Sequence, residues 1–101
     1  MTDRPGLVRW EDVPLEKVTE MIGKKVIPGA GPPLVQAFLK RGAIVPQHSH
    51  AAEQWIYVLQ GGLHAMVNGA VSTVREGSVL RIPAGSAHQI EALEDTFVMS
   101  Q

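Results

Sequence analysis

The chain has 101 residues, 45% hydrophobic and 19% charged, with a net charge of −1 and no cysteine. This balance describes one folded domain rather than a disordered chain, and it excludes disulfides, thiol chemistry and thiolate-ligated zinc. No cluster of cations exceeds the pair Lys24-Lys25, and every apolar run falls short of the ~20 residues of a membrane span, so neither nucleic acid nor membrane is an expected partner.

Residues 1–20 read as a polar N-terminal extension. The start, Met1-Thr2-Asp3-Arg4-Pro5-Gly6, lacks a signal peptide's apolar run, which makes the cytoplasm the expected compartment. Residues 7–10 form a short extended piece. After Pro14, residues Glu16, Lys17 and Glu20 fit one helical turn, too short to be stable alone.

From residue 21 to residue 101 the pattern is β throughout. Runs rich in Val, Ile and Leu occupy 24–27, 34–40, 44–48, 54–59, 63–67, 70–74, 78–82, 88–93 and 96–99, and Gly and Pro separate them. Asn68-Gly69 between two such runs is a hairpin signal. Many short strands at this spacing predict a sandwich or small barrel.

Alternation assigns faces. His48 and His50 are two apart and leave the same side of an extended strand. Gln54 returns to that side if the strand continues without a bulge, so two imidazoles and an amide oxygen make a candidate metal site. In the following run Ile56 and Val58 share the inner face, while Trp55 and Tyr57 point outward. Cover for these aromatics is expected either from the N-terminal segment around Trp10 or from a second copy of the chain in a homodimer. His64 alternates with Leu63 and Ala65 and is assigned to the surface. Arg81, opposite Leu80 and Ile82, is assigned to solvent.

Glycines and histidines together bring out a family. Gly42, five residues, His48-x-His50, three residues, Gln54, six residues and Gly61 resemble the first motif of the cupins. Gly77, five residues, Pro83-x-Gly85, two residues and His88 resemble their second. The resemblance implies an all-β jelly-roll barrel (a double-stranded β-helix) with one divalent metal ion near its middle, held by His48, His50, Gln54 and His88. Cupins usually carry Glu where this chain has Gln54. Glu53 alternates outward and replaces Gln54 only if a bulge shifts the strand. The family's Asn four residues after the last ligand is here Ala92.

Three neutral imidazoles and an amide leave the ion's charge uncompensated, which favours an anionic ligand and Lewis-acid chemistry. Such a set suits Ni, Mn, Fe, Co or Zn alike. The wording of the first motif, with Glu91-Ala92-Leu93-Glu94-Asp95-Thr96, further resembles small single-domain cupins related to the pectin-degradation protein KdgF. Those proteins convert 4,5-unsaturated monouronates into linear keto forms with a Gln-containing metal set and an Asp on the last strand. That Asp aligns with Ser100, which cannot replace it without an activating partner. Three functions are therefore carried forward: a metal-dependent sugar-acid or keto-acid isomerase, a non-catalytic module binding a metal or small anion, and a cupin dioxygenase.

Overall fold

The computed structural model describes residues 6–101; the polar start Met1–Pro5 lies outside the described residues. Among the described residues a single 3-10 turn at Trp10–Asp12 precedes ten strands. They are β1 (Glu16–Thr19), β2 (Ile22–Ile27), β3 (Leu34–Leu39), β4 (Ile44–His48), β5 (Gln54–Gln60), β6 (Gly62–Val67), β7 (Ala70–Arg75), β8 (Val79–Ile82), β9 (His88–Ala92) and β10 (Thr96–Ser100). Among the described residues no helix is long and apolar enough to cross a membrane.

The strands form two antiparallel sheets, one of six strands in the order β1-β2-β3-β10-β5-β8 and one of four in the order β4-β9-β6-β7. Strands β5, β9 and β10 alternate in burial, as strands of a half-covered antiparallel sheet should. Ile56 and Val58 on β5 are buried while Trp55, Tyr57 and Leu59 are exposed. Leu63 and Ala65 on β6 and Ile90 and Ala92 on β9 close the core from the other sheet. Leu63, Ile82 and Val58 are essentially fully buried, each contributing roughly 1.5–3 kcal/mol by removal of apolar surface from water.

The predicted hairpin at Asn68-Gly69 joins β6 to β7, with φ of 49° and 81° at the two turn residues. Both positive angles identify the type I′ turn whose twist matches that of the strands.

The N-terminal segment differs from expectation. Residues 16–19 form an edge strand on β2, not a helical turn. An isolated turn fixes several residues for one hydrogen bond, whereas β2 offers a ready ladder. Gly23 also leaves room for Leu15, whose Cδ1 lies 3.2 Å from the place a Cβ would take. Residues 7–10 join no strand. Nor does the Trp10 region cover the outward aromatics. The Trp10 carbonyl accepts a hydrogen bond from Lys25 Nζ on β2 at 2.9 Å, three strands away from β5. Trp55 and Tyr57 stay 39% and 47% exposed.

One glycine lets the β5–β6 junction pack closely against the start of β10. Gly61 has φ of 92°, and a Cβ there would lie 2.5 Å from the Asp95 carbonyl oxygen and 2.8 Å from Thr96 Cα. The close approach lets the Thr96 hydroxyl accept from Gly62 N–H at 3.2 Å and donate to the Glu94 carbonyl at 2.7 Å. Gly61→Ala is expected to destabilise the fold by about 3 kcal/mol, because left-handed strain and a backbone clash add. Gly69→Ala, with φ of 81° but open space around it, should cost only about 1 kcal/mol. Urea unfolding of the two variants measures the difference, and equal losses would show that the clash at Gly61 is relieved by movement of the Asp95-Thr96 backbone.

Candidate metal centre

His48 ends β4, and its register shows how it comes to face inward. Val45 pairs with Ile90 and His48 pairs with His88, so β4 uses three residues where β9 uses two. The extra residue is a β-bulge at Pro46-Gln47, on an edge strand where proline removes no ladder hydrogen bond from a neighbour. Without it, Val45 and His48 would point to opposite faces; with it, Val45 packs against the core and His48 meets His88.

The route from His48 to Gln54 is not the continuous strand that the spacing predicts. His50 lies beyond the end of β4, the chain bends at Ala51-Ala52, and Gln54 opens β5 in the other sheet. The crossing still returns Gln54 to the histidines, with its Oε1 3.0 Å from His50 Nε2. His88 arrives from the second motif. Gly85 N–H donates to the His50 carbonyl at 2.8 Å, and Asn68 holds the loop ahead of His88 through Ser86 Oγ and Ala87 N–H.

The three imidazoles meet with ring centroids 4.2 Å (His48–His88), 5.0 Å (His50–His88) and 5.6 Å (His48–His50) apart. One ring nitrogen from each lies within 4.8 Å of the others. Each Nδ1 faces a backbone carbonyl two residues away: Pro46 O at 2.9 Å for His48, Ala52 O at 2.9 Å for His50 and Ser86 O at 2.8 Å for His88. A carbonyl only accepts, so this pairing favours the proton on Nδ1 of His48 and His88 and a lone pair on their Nε2. His50 has an accepting oxygen at each nitrogen, Ala52 O and Gln54 Oε1, and matches the other two rings when a cation takes the place of its Nε2 proton. Gln54 Nε2 donates to Ser100 Oγ at 2.8 Å, which turns its Oε1 toward the same point. At 3.0 Å, His50 Nε2 and Gln54 Oε1 are joined either by a proton on Nε2 or by a shared cation. The donor set fits a divalent ion of the imidazole-preferring group, and carbonyl partners at Nδ1 are the usual outer support of ligating histidines.

Electrostatics agree. Burial holds the His88 pKa below the ordinary 6.5, the Ser86 carbonyl opposes this, and His48 and His50 push in the same direction as burial. The ring is thereby kept in the neutral form that a metal requires.

The remaining sequence candidates fall elsewhere. The Glu53 carboxylate lies on the outer face, accepting from Arg81 Nε at 2.7 Å and Trp55 Nε1 at 3.0 Å. Arg81 is exposed, as predicted, and His64 pairs with Thr73 and Glu91 away from the cluster. Asp95 accepts from Arg41 N–H at 2.9 Å and serves a turn. A cavity of about 380 Å³ opens at the cluster, and its lining includes His48, His88, Gln54, Ser100, Thr19 and Lys24. The orienting role of Ser100, the loop support from Asn68 and the presence of Lys24 were missed from sequence. A buried serine on the inner face of β10 was readable from alternation, but its partner was not. A wider groove of about 570 Å³ involves Leu15, Phe38 and Phe97, and the histidine cluster lies outside it.

The family model for the Cupin domain matches residues 35–100. No curated protein matches the chain in sequence. Among solved structures, KdgF from Halomonas sp. is similar with a TM-score of 0.86 and 23% identity, over 96% of this chain and 91% of that one. An RmlC-like cupin from Shewanella frigidimarina NCIMB 400 superposes with a TM-score of 0.83 at 17% identity, covering 99% and 91% of the two chains. A predicted oxalate decarboxylase from Thermotoga maritima gives 0.82 at 21%, covering 94% and 96%. At these identities the likeness is one of fold.

Purified protein is expected to carry a divalent ion by mass spectrometric metal analysis, and His50→Ala to lose it. Ser100→Ala should retain the ligands but bind the ion about tenfold more weakly, the usual effect of removing an outer-shell partner. Equal metal content in wild type and His50→Ala would refute the site.

Proposed function

Because the chain belongs to the Cupin domain family, we propose that it holds one divalent metal ion through His48, His50, Gln54 and His88 and acts on a small carboxylate-bearing sugar acid, as an isomerase of unsaturated uronates. The observation that carries this reading is the donor set itself: three imidazoles oriented by backbone carbonyls and an amide oxygen oriented by Ser100, with no carboxylate among them. A divalent ion bound there supplies an uncompensated Lewis acid that polarises a ligand oxygen.

The chain's own groups do the rest. Gln54 and Ser100 fix the amide so that its oxygen, not its nitrogen, faces the centre. Ile56, Leu63, Ile90 and Val98 form apolar walls, which limit water and strengthen charge interactions inside the cavity. The Ser100 hydroxyl accepts from Gln54 and takes the position of the Asp expected of KdgF-like proteins, so it positions a ligand residue instead of transferring protons.

A second reading has its own support. No Asp or Glu lines the cavity among the described residues, as a module that binds a small anion without converting it would have. The dioxygenase reading is weaker, because the donor set lacks a carboxylate to offset the charge of a higher oxidation state. Metal-loaded protein incubated with 4,5-unsaturated galacturonate should remove the enol ether absorbance faster than buffer does, and the His50→Ala variant should not. Ligand binding without loss of absorbance would replace the isomerase by the binding module.

The outer face of the six-stranded sheet favours assembly with a second copy. Trp55 and Tyr57 on β5 adjoin Val79 on β8 and Met99 on β10, and Phe38 stacks on Phe97 at 4.8 Å farther along. The charged pair beside Trp55, Glu53 with Arg81, neutralises itself, so two such faces can meet about a twofold axis without stranding a charge. The double variant Trp55→Ser, Tyr57→Ser is expected to halve the mass seen by light scattering. A monomeric wild type, or an unchanged mass in the variant, would rule this interface out.

A further inference from the structure

The cavity at the histidine cluster opens where the free edges of the two sheets diverge, with Val18 of β1 and Ile44 of β4 half exposed on either side. Apart from the imidazoles, one charged side chain lines it among the described residues: Lys24, half buried on β2. Its one acidic register neighbour is not engaged with it. Glu16 is its register partner across β1–β2, but among the described residues no ion pair joins them and no side-chain hydrogen bond involves the Lys24 ammonium. Ala37 faces it on β3 and Val98 follows on β10. Lys25, by contrast, is tied down on the Trp10 carbonyl.

An ammonium at an apolar wall gives up hydration and gains nothing until an anion arrives. Two strand spacings, about 10 Å, separate Lys24 from Val98 in the plane of the sheet, and Ser100 lies two residues farther along β10. Much of that gap is within reach of the extended lysine side chain. The remaining space suits a molecule about the size of one sugar ring, at the small end of ligand cavities.

We propose that Lys24 is the anion-recognition residue of the cavity: it takes the carboxylate of the ligand and so directs the opposite, neutral oxygen-bearing end toward the histidine cluster. This rests on the reading of the site as one for a carboxylate-bearing small molecule, and it sets which end of that molecule goes where. The charge of the ligand is selected at the mouth by Lys24, and its reacting end is presented at the centre by His48, His50, Gln54 and His88.

The test uses metal-loaded full-length protein with D-galacturonate and its uncharged counterpart D-galactose, titrated by calorimetry. Wild type should bind the galacturonate more tightly than the galactose. Lys24→Met should weaken galacturonate binding about tenfold, the scale of one charge-assisted hydrogen bond at a partly exposed site, while galactose binding and metal content stay as in wild type. Lys24→Arg should keep most of the preference. The proposal is overturned if wild type shows no preference for the charged sugar, if Lys24→Met retains that preference, or if Lys24→Met weakens both sugars alike. Failure of the absorbance assay with unsaturated galacturonate would remove the isomerase reading and leave this result standing. Turnover that survives with a Lys24-independent preference would do the reverse.

Discussion

The three imidazoles are organised by where their Nδ1 protons go. Each Nδ1 faces a backbone carbonyl two residues away, so ring orientation is set by local chain geometry before any ligand is present. That brings a ring nitrogen of each histidine within 4.8 Å of the others, with the Gln54 oxygen beside His50 Nε2, a set of donors that one cation can share. Much of the surrounding structure can be understood as what is needed to keep those carbonyls in place.

Holding the cluster together requires both sheets. His48 and His88 come from neighbouring strands of the four-stranded sheet, while Gln54 and Ser100 belong to the six-stranded one. The β4 bulge turns His48 inward, the bend at Ala51-Ala52 carries the chain across, and the Gly85–His50 backbone bond ties the two histidine-bearing loops. Asn68, at the tip of the β6–β7 hairpin, reaches over to pin the loop before His88. The hairpin thus sets more than the pairing of its own strands: its turn residue also steadies a candidate ligand.

Chemically, the replacement of a carboxylate by Gln54 changes the site more than it changes the fold. The amide keeps an oxygen donor but contributes no negative charge, and Ser100 is the group that keeps that oxygen pointed inward. In the proposed arrangement the carboxylate goes to Lys24 and a neutral oxygen goes to the histidine centre. An apolar floor between the two leaves charge, more than hydrogen-bond pattern, to discriminate among small ligands.

The amino-acid sequence alone determined the all-β architecture, the hairpin at Asn68-Gly69, the inward Ile56 and Val58, the outward Trp55 and Tyr57, and the grouping of His48, His50 and His88. Period-two alternation, turn chemistry and motif spacing are local, and local physics suffices to read them. Only the tertiary structure decided the edge strand β1, which a short segment adopts because β2 offers a partner, and the bulge that gives His48 its face. It also supplied the Gln54–Ser100 bond, which joins residues 46 apart in sequence, and the place of Lys24 at the cavity. Lys24 reads in sequence as half of an ordinary Lys-Lys pair. The sheets separate the two, sending one to the Trp10 carbonyl and the other to the mouth of the site, because adjacent residues on a strand must face opposite ways and only the fold says what lies on each side.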